Sequence, residues 1–146
     1  MKYSKIIFVC QDNSTLSPMA EAIFHHYVKD TSIEVVSRGL VVLFPEPFNE
    51  NAERVLKAHG ISFVNENTAP FDPEEVNDET LILTMNINQT IKLAEEYSLL
   101  ENVSTFRKFA GEEGDLVDPF GSGYEEYEKI YEEMLVLTQK MMVYLT

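Results

Sequence analysis

The stretch Ile6-Ile7-Phe8-Val9-Cys10-Gln11-Asp12-Asn13-Ser14-Thr15-Leu16-Ser17-Pro18-Met19-Ala20-Glu21-Ala22-Ile23-Phe24 decides the fold. Ile6 to Val9 is an apolar, β-branched and aromatic run, the pattern of a strand buried on both faces. Gln11 to Ser17 is a polar loop. Ser17-Pro18 reads as an N-cap followed by Pro at the first helical position. From Met19 to Val28 apolar residues recur at helical spacing, at Met19, Ile23, Phe24, Tyr27 and Val28. Ile33 to Val36 is a second strand, broken at Gly39. This strand-loop-helix-strand unit predicts a right-handed crossover between parallel strands.

Further along, the alternation continues. Asn49 to His59 reads as a helix stopped by Gly60, Leu81 to Met85 as a third strand, and Ile87 to Leu100 as a helix. Val103 to Phe106 is a short fourth strand. Tyr124 to Leu145 is a long helix with apolar residues at Tyr127, Ile130, Tyr131, Met134, Leu137, Met141 and Leu145. Strands alternating with helices predict an α/β fold, a doubly wound four-stranded parallel sheet flanked by helices. The Pro-rich segment Phe44-Pro45-Glu46-Pro47 is a loop. With 146 residues, the chain fits one domain of the usual ~100–200 residues.

Composition narrows the function. Twenty-five acidic residues against eleven basic ones give a net charge of -14. That field opposes nucleic acid and anionic membranes, both of which demand a Lys/Arg surface. No stretch has the ~18 consecutive apolar residues of a membrane span. The start, Met1-Lys2-Tyr3-Ser4-Lys5, does not read as a signal peptide. A cytoplasmic location is therefore expected. The single Cys excludes an intrachain disulfide and a thiolate metal site. The paired acids Glu95-Glu96, Glu112-Glu113, Glu125-Glu126 and Glu132-Glu133 read as solvated faces.

In doubly wound sheets, ligands bind beyond the C-terminal strand ends. Cys10 ends the first strand, before a loop that feeds a helix N-terminus. Backbone N–H groups and the helix dipole there lower a thiol pKa and attract an anion. By position alone, Cys10 is either a nucleophile or a small buried residue. His25, His26 and His59 read as structural or surface residues, and Tyr124, Tyr127 and Tyr131 as core.

Val9-Cys10, Asn13 and Ser17-Pro18-Met19-Ala20-Glu21-Ala22-Ile23-Phe24 resemble the phosphate loop of the low-molecular-weight protein tyrosine phosphatases. Ser37-Arg38-Gly39, Glu46-Pro47, Val55 to Gly60, Leu83-Thr84-Met85 and Asp118-Pro119-Phe120-Gly121 continue the resemblance in order. It implies one phosphotyrosine phosphatase I-like, Rossmann/flavodoxin-like domain over residues 1–146. It implies phosphomonoester hydrolysis without cofactor or metal, on a phosphotyrosine protein or a small phosphomonoester, by a monomer or weak dimer. Cys10 takes the nucleophile position and Asp118 the general-acid position. Asn13 braces the loop, and Ser17 supplies a hydroxyl to the thiolate. Ser14, Thr15 and Leu16 complete the phosphate-binding turn. Phe44 and Phe120 are candidates for the substrate mouth.

The loop departs from the family pattern. Leu16 stands where the family has the Arg that grips two phosphoryl oxygens, and Asp12 stands at a Gly position. Asp12 adds negative charge and is expected to need a backbone angle that Gly tolerates better. One Arg in such a role is worth ~10³–10⁵ in rate, or about 4–7 kcal/mol of barrier. The chain is therefore expected to be catalytically impaired. Two alternatives remain open. Arg38, one of three arginines with Arg54 and Arg107, could reach over the loop and compensate. Cys10 could instead act as a phosphocysteine carrier or anion-binding module, resembling a phosphotransferase-system IIB component. The Ser-Pro-Met-Ala-Glu helix and Asp118-Pro119 count against that.

Overall fold

A computed structural model describes residues 2–29 and 32–145. Met1 and Thr146, the ends of the expected 1–146 domain, lie outside the described residues with Asp30 and Thr31. The elements are β1 (Lys5–Cys10), α1 (Leu16–Tyr27), β2 (Glu34–Gly39), α2 (Glu50–Ala58), β3 (Thr80–Thr84), α3 (Ile87–Tyr97), β4 (Val103–Thr105), α4 (Phe106–Phe109) and α5 (Tyr124–Leu145). All strand pairs are parallel, in the order β2-β1-β3-β4. The chain winds one way from β1 to β2 and the other way through β3 to β4. The crevice between the C-terminal ends of β1 and β3 is therefore the switch point.

Residues of β1 alternate between two cores, as strand geometry requires. Ile6, Phe8 and Cys10 pack into the larger core with α1, α2 and α5. Ile7 and Val9 pack on the opposite face with Phe71, Ile82 and Leu93 of α3. With helices covering both faces, β1 must be apolar throughout, which explains its unbroken sequence run. Tyr127, Tyr131, Met134 and Met141 are buried in the larger core, as their helical spacing predicts.

Several boundaries differ from the sequence reading. α1 begins at Leu16, so Ser17 is not its N-cap; Thr15 holds that position without a side-chain hydrogen bond. Pro18 lies within the first turn, where no intrahelical partner exists for a backbone N–H. α3 ends at Tyr97, not Leu100, because Ser98 turns left-handed at φ 57. β4 ends at Thr105, whose hydroxyl accepts the Lys108 backbone N–H at 3.1 Å. Phe106 therefore opens α4 instead of extending the strand. β2 runs on to Gly39. A Cβ at Gly39 would lie 2.8 Å from both the Asn13 backbone N and the Asp12 carbonyl carbon. Glycine lets the end of β2 press directly against the loop after β1.

Candidate active site

The loop from Cys10 to Ser17 is held from four sides. Leu40 and Val41 donate backbone hydrogen bonds to the Cys10 and Gln11 carbonyls, and Asn49 donates to the Ser14 carbonyl. Asn13 is left-handed at φ 59, a conformation that Asn tolerates better than most residues. Its Nδ2 donates to Ser17 Oγ at 2.8 Å and to Ser37 Oγ at 3.0 Å, and its Oδ1 accepts the Ala69 N–H at 2.9 Å. Ser37 Oγ donates onward to Glu21 Oε1 at 2.7 Å. Asn13 thereby ties the loop to β2, to α1 and to the segment before Phe71.

Cys10 lies at the foot of this network. Its Sγ is 2.9 Å from Ser17 Oγ, and either group can donate. Because Ser17 lies inside the first turn of α1, its hydroxyl is available to the sulfur and to Asn13. Burial pushes the Cys10 thiol pKa up. The Ser17 hydroxyl and the Ser17 and Asn13 backbone groups pull it down, and Asp12 adds a further upward push. Asp118 comes from a different element. Its loop is tied to the end of β3 by the Leu116 N–H donating to the Met85 carbonyl, and its Oδ1 accepts the Phe120 N–H at 2.9 Å. Solvent reaches Asp118, yet surrounding protein partly desolvates it and pushes its carboxyl pKa up, with Asp12 again adding to the rise. Lys129, Glu126 and Glu133 line the hollow on the other side of Asp118.

The departures from the family pattern have clear structural consequences. Leu16 is 3% exposed and packs in the same core as Cys10. Asp12 Oδ1 accepts from Ser14 N at 3.1 Å and from Ser14 Oγ at 2.8 Å. The carboxylate thus engages two loop donors of the kind that hold phosphoryl oxygens. The expectation that Asp12 needs a glycine-like backbone is corrected, since the left-handed residue is Asn13. Thr15 is buried and Ser14 half-buried.

Arg38 meets the loop through its backbone carbonyl, which accepts from Ser17 Oγ at 3.4 Å, while its guanidinium is engaged elsewhere. It pairs with Val9 within the sheet, and its Nε and Nη2 donate to the two Glu75 carboxylate oxygens, both at 2.9 Å. Its Nη1 donates to the Ser37 carbonyl at 2.7 Å. This corrects the reading in which its guanidinium bends over Cys10, because Glu75 takes the flat edge that an oxyanion would need. Glu75 in turn is held below the usual carboxylate range, chiefly by that hydrogen bond. Arg54 lies over the Tyr124 ring, and Arg107 pairs with Glu112 and Glu133.

Phe44 and Phe120 are both exposed. A hollow of about 210 Å³ opens beside Asp12 and is bounded by Leu43 and Phe44. Leu43, Ser37 and Glu21 are contributors that sequence reasoning leaves without a role. The Ser37-Arg38-Gly39 stretch carries the only signal for Ser37. Among the described residues, no group of three His, Cys, Asp or Glu side chains could hold a metal ion. Among them, too, no helix is long and apolar enough to cross a membrane.

A family model for low molecular weight phosphotyrosine protein phosphatase matches residues 5–145. The chain belongs to this family. It is 31% identical over 139 residues to the low molecular weight protein-tyrosine-phosphatase PtpB of Staphylococcus haemolyticus, covering 94% of this chain and 96% of that protein. A solved low molecular weight protein tyrosine phosphatase from T. tengcongensis superposes with a TM-score of 0.90 at 30% identity, covering 96% and 98% of the two chains. The YwlE arginine phosphatase of Geobacillus stearothermophilus superposes at 0.88 with 27% identity, covering 97% and 92%. A mutant YwlE, 28% identical with a TM-score of 0.86 and coverage of 97% and 95%, has a phosphorylated active site serine. Low molecular weight phosphatases are hydrolases with a cysteine nucleophile, acting on phosphoproteins or phosphoesters.

Proposed function

We propose that this chain is a strongly impaired low molecular weight phosphatase. One observation carries the reading: Leu16, at the position where the resemblance expects an Arg, is 3% exposed and packed in the core, while the Asp12 carboxylate takes the Ser14 donors. In the intact reaction, the Cys10 thiolate attacks phosphorus while Asp118 protonates the leaving oxygen. The phosphoryl group passes to sulfur, and water then attacks the cysteinyl-phosphate, giving up its proton to Asp118. The YwlE mutant with a phosphorylated active site serine supports a phosphoenzyme at the Cys10 position. Asn13, Ser14, Thr15 and Ser17 supply the loop's shape and donors.

The acid half of this chemistry falls to Asp118. A raised carboxyl pKa keeps Asp118 protonated closer to neutral pH, which suits a general acid. The nucleophile half is weak, because burial, with a smaller push from Asp12, favours the neutral thiol over the pull of the Ser17 and Asn13 hydrogen bonds. Phosphoryl binding is weaker still. Leu16 offers no donor, and Asp12 repels a dianion while engaging Ser14 itself. The missing Arg alone removes ~10³–10⁵ in rate by analogy with other phosphoryl-transfer enzymes. Family membership favours hydrolysis over a phosphocysteine carrier. The proposal includes one domain, acting in the cytoplasm as a monomer or weak dimer on a phosphotyrosine protein or a small phosphomonoester.

The test is steady-state turnover of para-nitrophenyl phosphate beside the Staphylococcus haemolyticus PtpB. The expected result is a kcat/KM lower by a factor of about 10³ or more. Turnover equal to the relative's, abolished by Cys10→Ser, overturns the impairment.

A further inference from the structure

A hollow of about 660 Å³ lies at the far edge of the sheet and shares no residue with the Cys10 loop. β4 pairs with β3 on one side and, among the described residues, with no strand on the other. Val103, Ser104 and Thr105 all line the hollow, although successive residues of a strand face opposite ways. Ile87 of α3 and Lys108 of α4 line it as well. α3 covers one face of the sheet through Leu93, and the segment of α4 covers the other through Phe106. A hollow that reaches both layers therefore opens at the edge of β4. Its volume falls within the range of about 300–1,000 Å³ usual for small-molecule sites. The lining combines an apolar part with charges of both signs. Ile87 is 51% exposed and Val103 half-buried. Glu112 is neutralised by Arg107 and Lys140. Among the described residues, Lys108 has no carboxylate partner, and the Glu113 and Asp115 carboxylates have no cation. Asp115 Oδ1 accepts the Ile87 backbone N–H at 3.0 Å, which fixes that carboxylate against the start of α3.

We propose that this hollow binds a free α-amino acid with a large apolar side chain. The mixed charge of the lining selects a zwitterion. A bare anion is attracted by Lys108 but repelled by Glu113 and Asp115, and a bare cation is repelled by Lys108. A zwitterion sets its carboxylate toward Lys108 and its ammonium toward the two acids, so both signs are matched at once. The apolar side chain covers Ile87 and Val103 and removes them from water. A ligand without that side chain leaves them wet. The site goes beyond the hydrolysis reading, because it lies outside the Cys10 loop and needs neither phosphate nor turnover.

The test is an NMR titration of the isotope-labelled intact protein with L-phenylalanine. Measurements run at about 0.15 M salt, where long-range attraction is screened within ~8 Å. Saturable shifts are expected at the amides of Ile87, Ser104 and Lys108, with a Kd of about 1 mM or tighter, the scale for so small a ligand. Phenethylamine lacks the carboxylate, hydrocinnamate lacks the ammonium and glycine lacks the side chain; each is expected to bind about tenfold more weakly or worse. Lys108→Gln and Asp115→Asn are each expected to weaken L-phenylalanine about tenfold. Both side chains are exposed, and the amide oxygen introduced by Asp115→Asn can still accept the Ile87 N–H, so folding is retained. Lys92→Gln, at an exposed position of α3 outside the hollow, is expected to change affinity less than about twofold. Absence of saturation at about ten times that Kd overturns the proposal. So do shifts centred on the Cys10 loop, equal binding of phenethylamine or hydrocinnamate, or an equal loss in Lys92→Gln. The titration contains no phosphate ester, so its failure and the failure of the impairment reading are separate results.

Discussion

Replacing Asp12 by Gly together with Leu16 by Arg puts the account of the loop at direct risk. Leu16 is 3% exposed, so its loss resembles a core truncation. An Arg stem refills much of the space, which holds the cost to about 1–3 kcal/mol. Removing Asp12 loses two exposed hydrogen bonds to Ser14, about 1 kcal/mol together. A glycine adds about 0.5–1 kcal/mol of chain freedom to be lost on folding. The sum, about 3–5 kcal/mol, is less than the ~5–15 kcal/mol of a typical domain. The double variant is thus expected to fold with a Tm lower by about 10 °C. The introduced guanidinium cannot rest in the core uncompensated, and the loop donors freed by Asp12 mark the place for an anion beside it. The kcat/KM for para-nitrophenyl phosphate is expected to rise about 10³-fold. Phosphate at 100 times its Kd is expected to restore about 2.7 kcal/mol, a Tm rise of about 5–10 °C absent in the parent chain. A folded double variant with neither turnover nor a phosphate-dependent Tm rise would refute the assignment of the defect to these two positions.

Iodoacetamide is expected to alkylate Cys10 slowly at pH 7 and faster in Asp12→Asn, because Asp12 contributes to the raised thiol pKa; rapid labelling of the parent at pH 7 contradicts this. With the native thiol above its ordinary 9.0, the unfolded chain ionises first. The Cys10 contribution to stability is therefore complete below pH 9 and declines as pH climbs through the native value, a decline that Cys10→Ala removes in urea titrations. Asn13→Ala deletes bonds to Ser17, Ser37 and Ala69 and leaves Ala in a left-handed turn, so a loss of about 2–4 kcal/mol in urea denaturation is expected; a loss under about 1 kcal/mol rules out the bracing role. Arg38→Ala is expected to leave residual turnover within about twofold, whereas an Arg that compensates for Leu16 would lose ~10³-fold. Glu75, held low by Arg38, adds stability above its ordinary 4.5 that is lost as pH falls through the native value. Arg38→Ala should flatten that acid limb.

What is legible in the sequence follows from how local each feature is. β1 can be read because burial on both faces demands an unbroken apolar run, and α5 because its core contacts repeat at helical spacing. The start of α1 is misread because Ser17-Pro18 imitates a cap. Its hydroxyl is instead engaged with Cys10 and Asn13, contacts the local sequence does not encode. The end of α3 rests on Ser98 taking a left-handed turn usually given to Gly. Phe106 reads as strand until the Thr105 hydroxyl is seen capping α4. In the candidate site, the roles proposed for Cys10, Asn13, Ser17 and Asp118 come from resemblance, in the order of their motifs. Arg38 is not, because its partner Glu75 lies 37 positions away. Leu43 and Phe44 lie in a loop whose exposure depends on what packs beside it.

The loop's shape and the loop's chemistry rest on different residues, which is why one can persist without the other. Asn13, Ser17, Ser37 and Glu21 form a buried chain of hydrogen bonds reaching from Cys10 to α1 and β2. Breaking one member leaves its partners unsatisfied in the interior, at about 1–3 kcal/mol each. Gly39 must stay small because the loop backbone lies against it. These constraints act on folding whether or not a phosphate ever binds. Leu16 has no such duty: it fits the core as an apolar side chain, outside the hydrogen-bond network. A recognisable phosphate loop is therefore weak testimony to catalysis by itself. The donors left free for an oxyanion are the discriminating quantity, and here the Asp12 carboxylate takes those of Ser14.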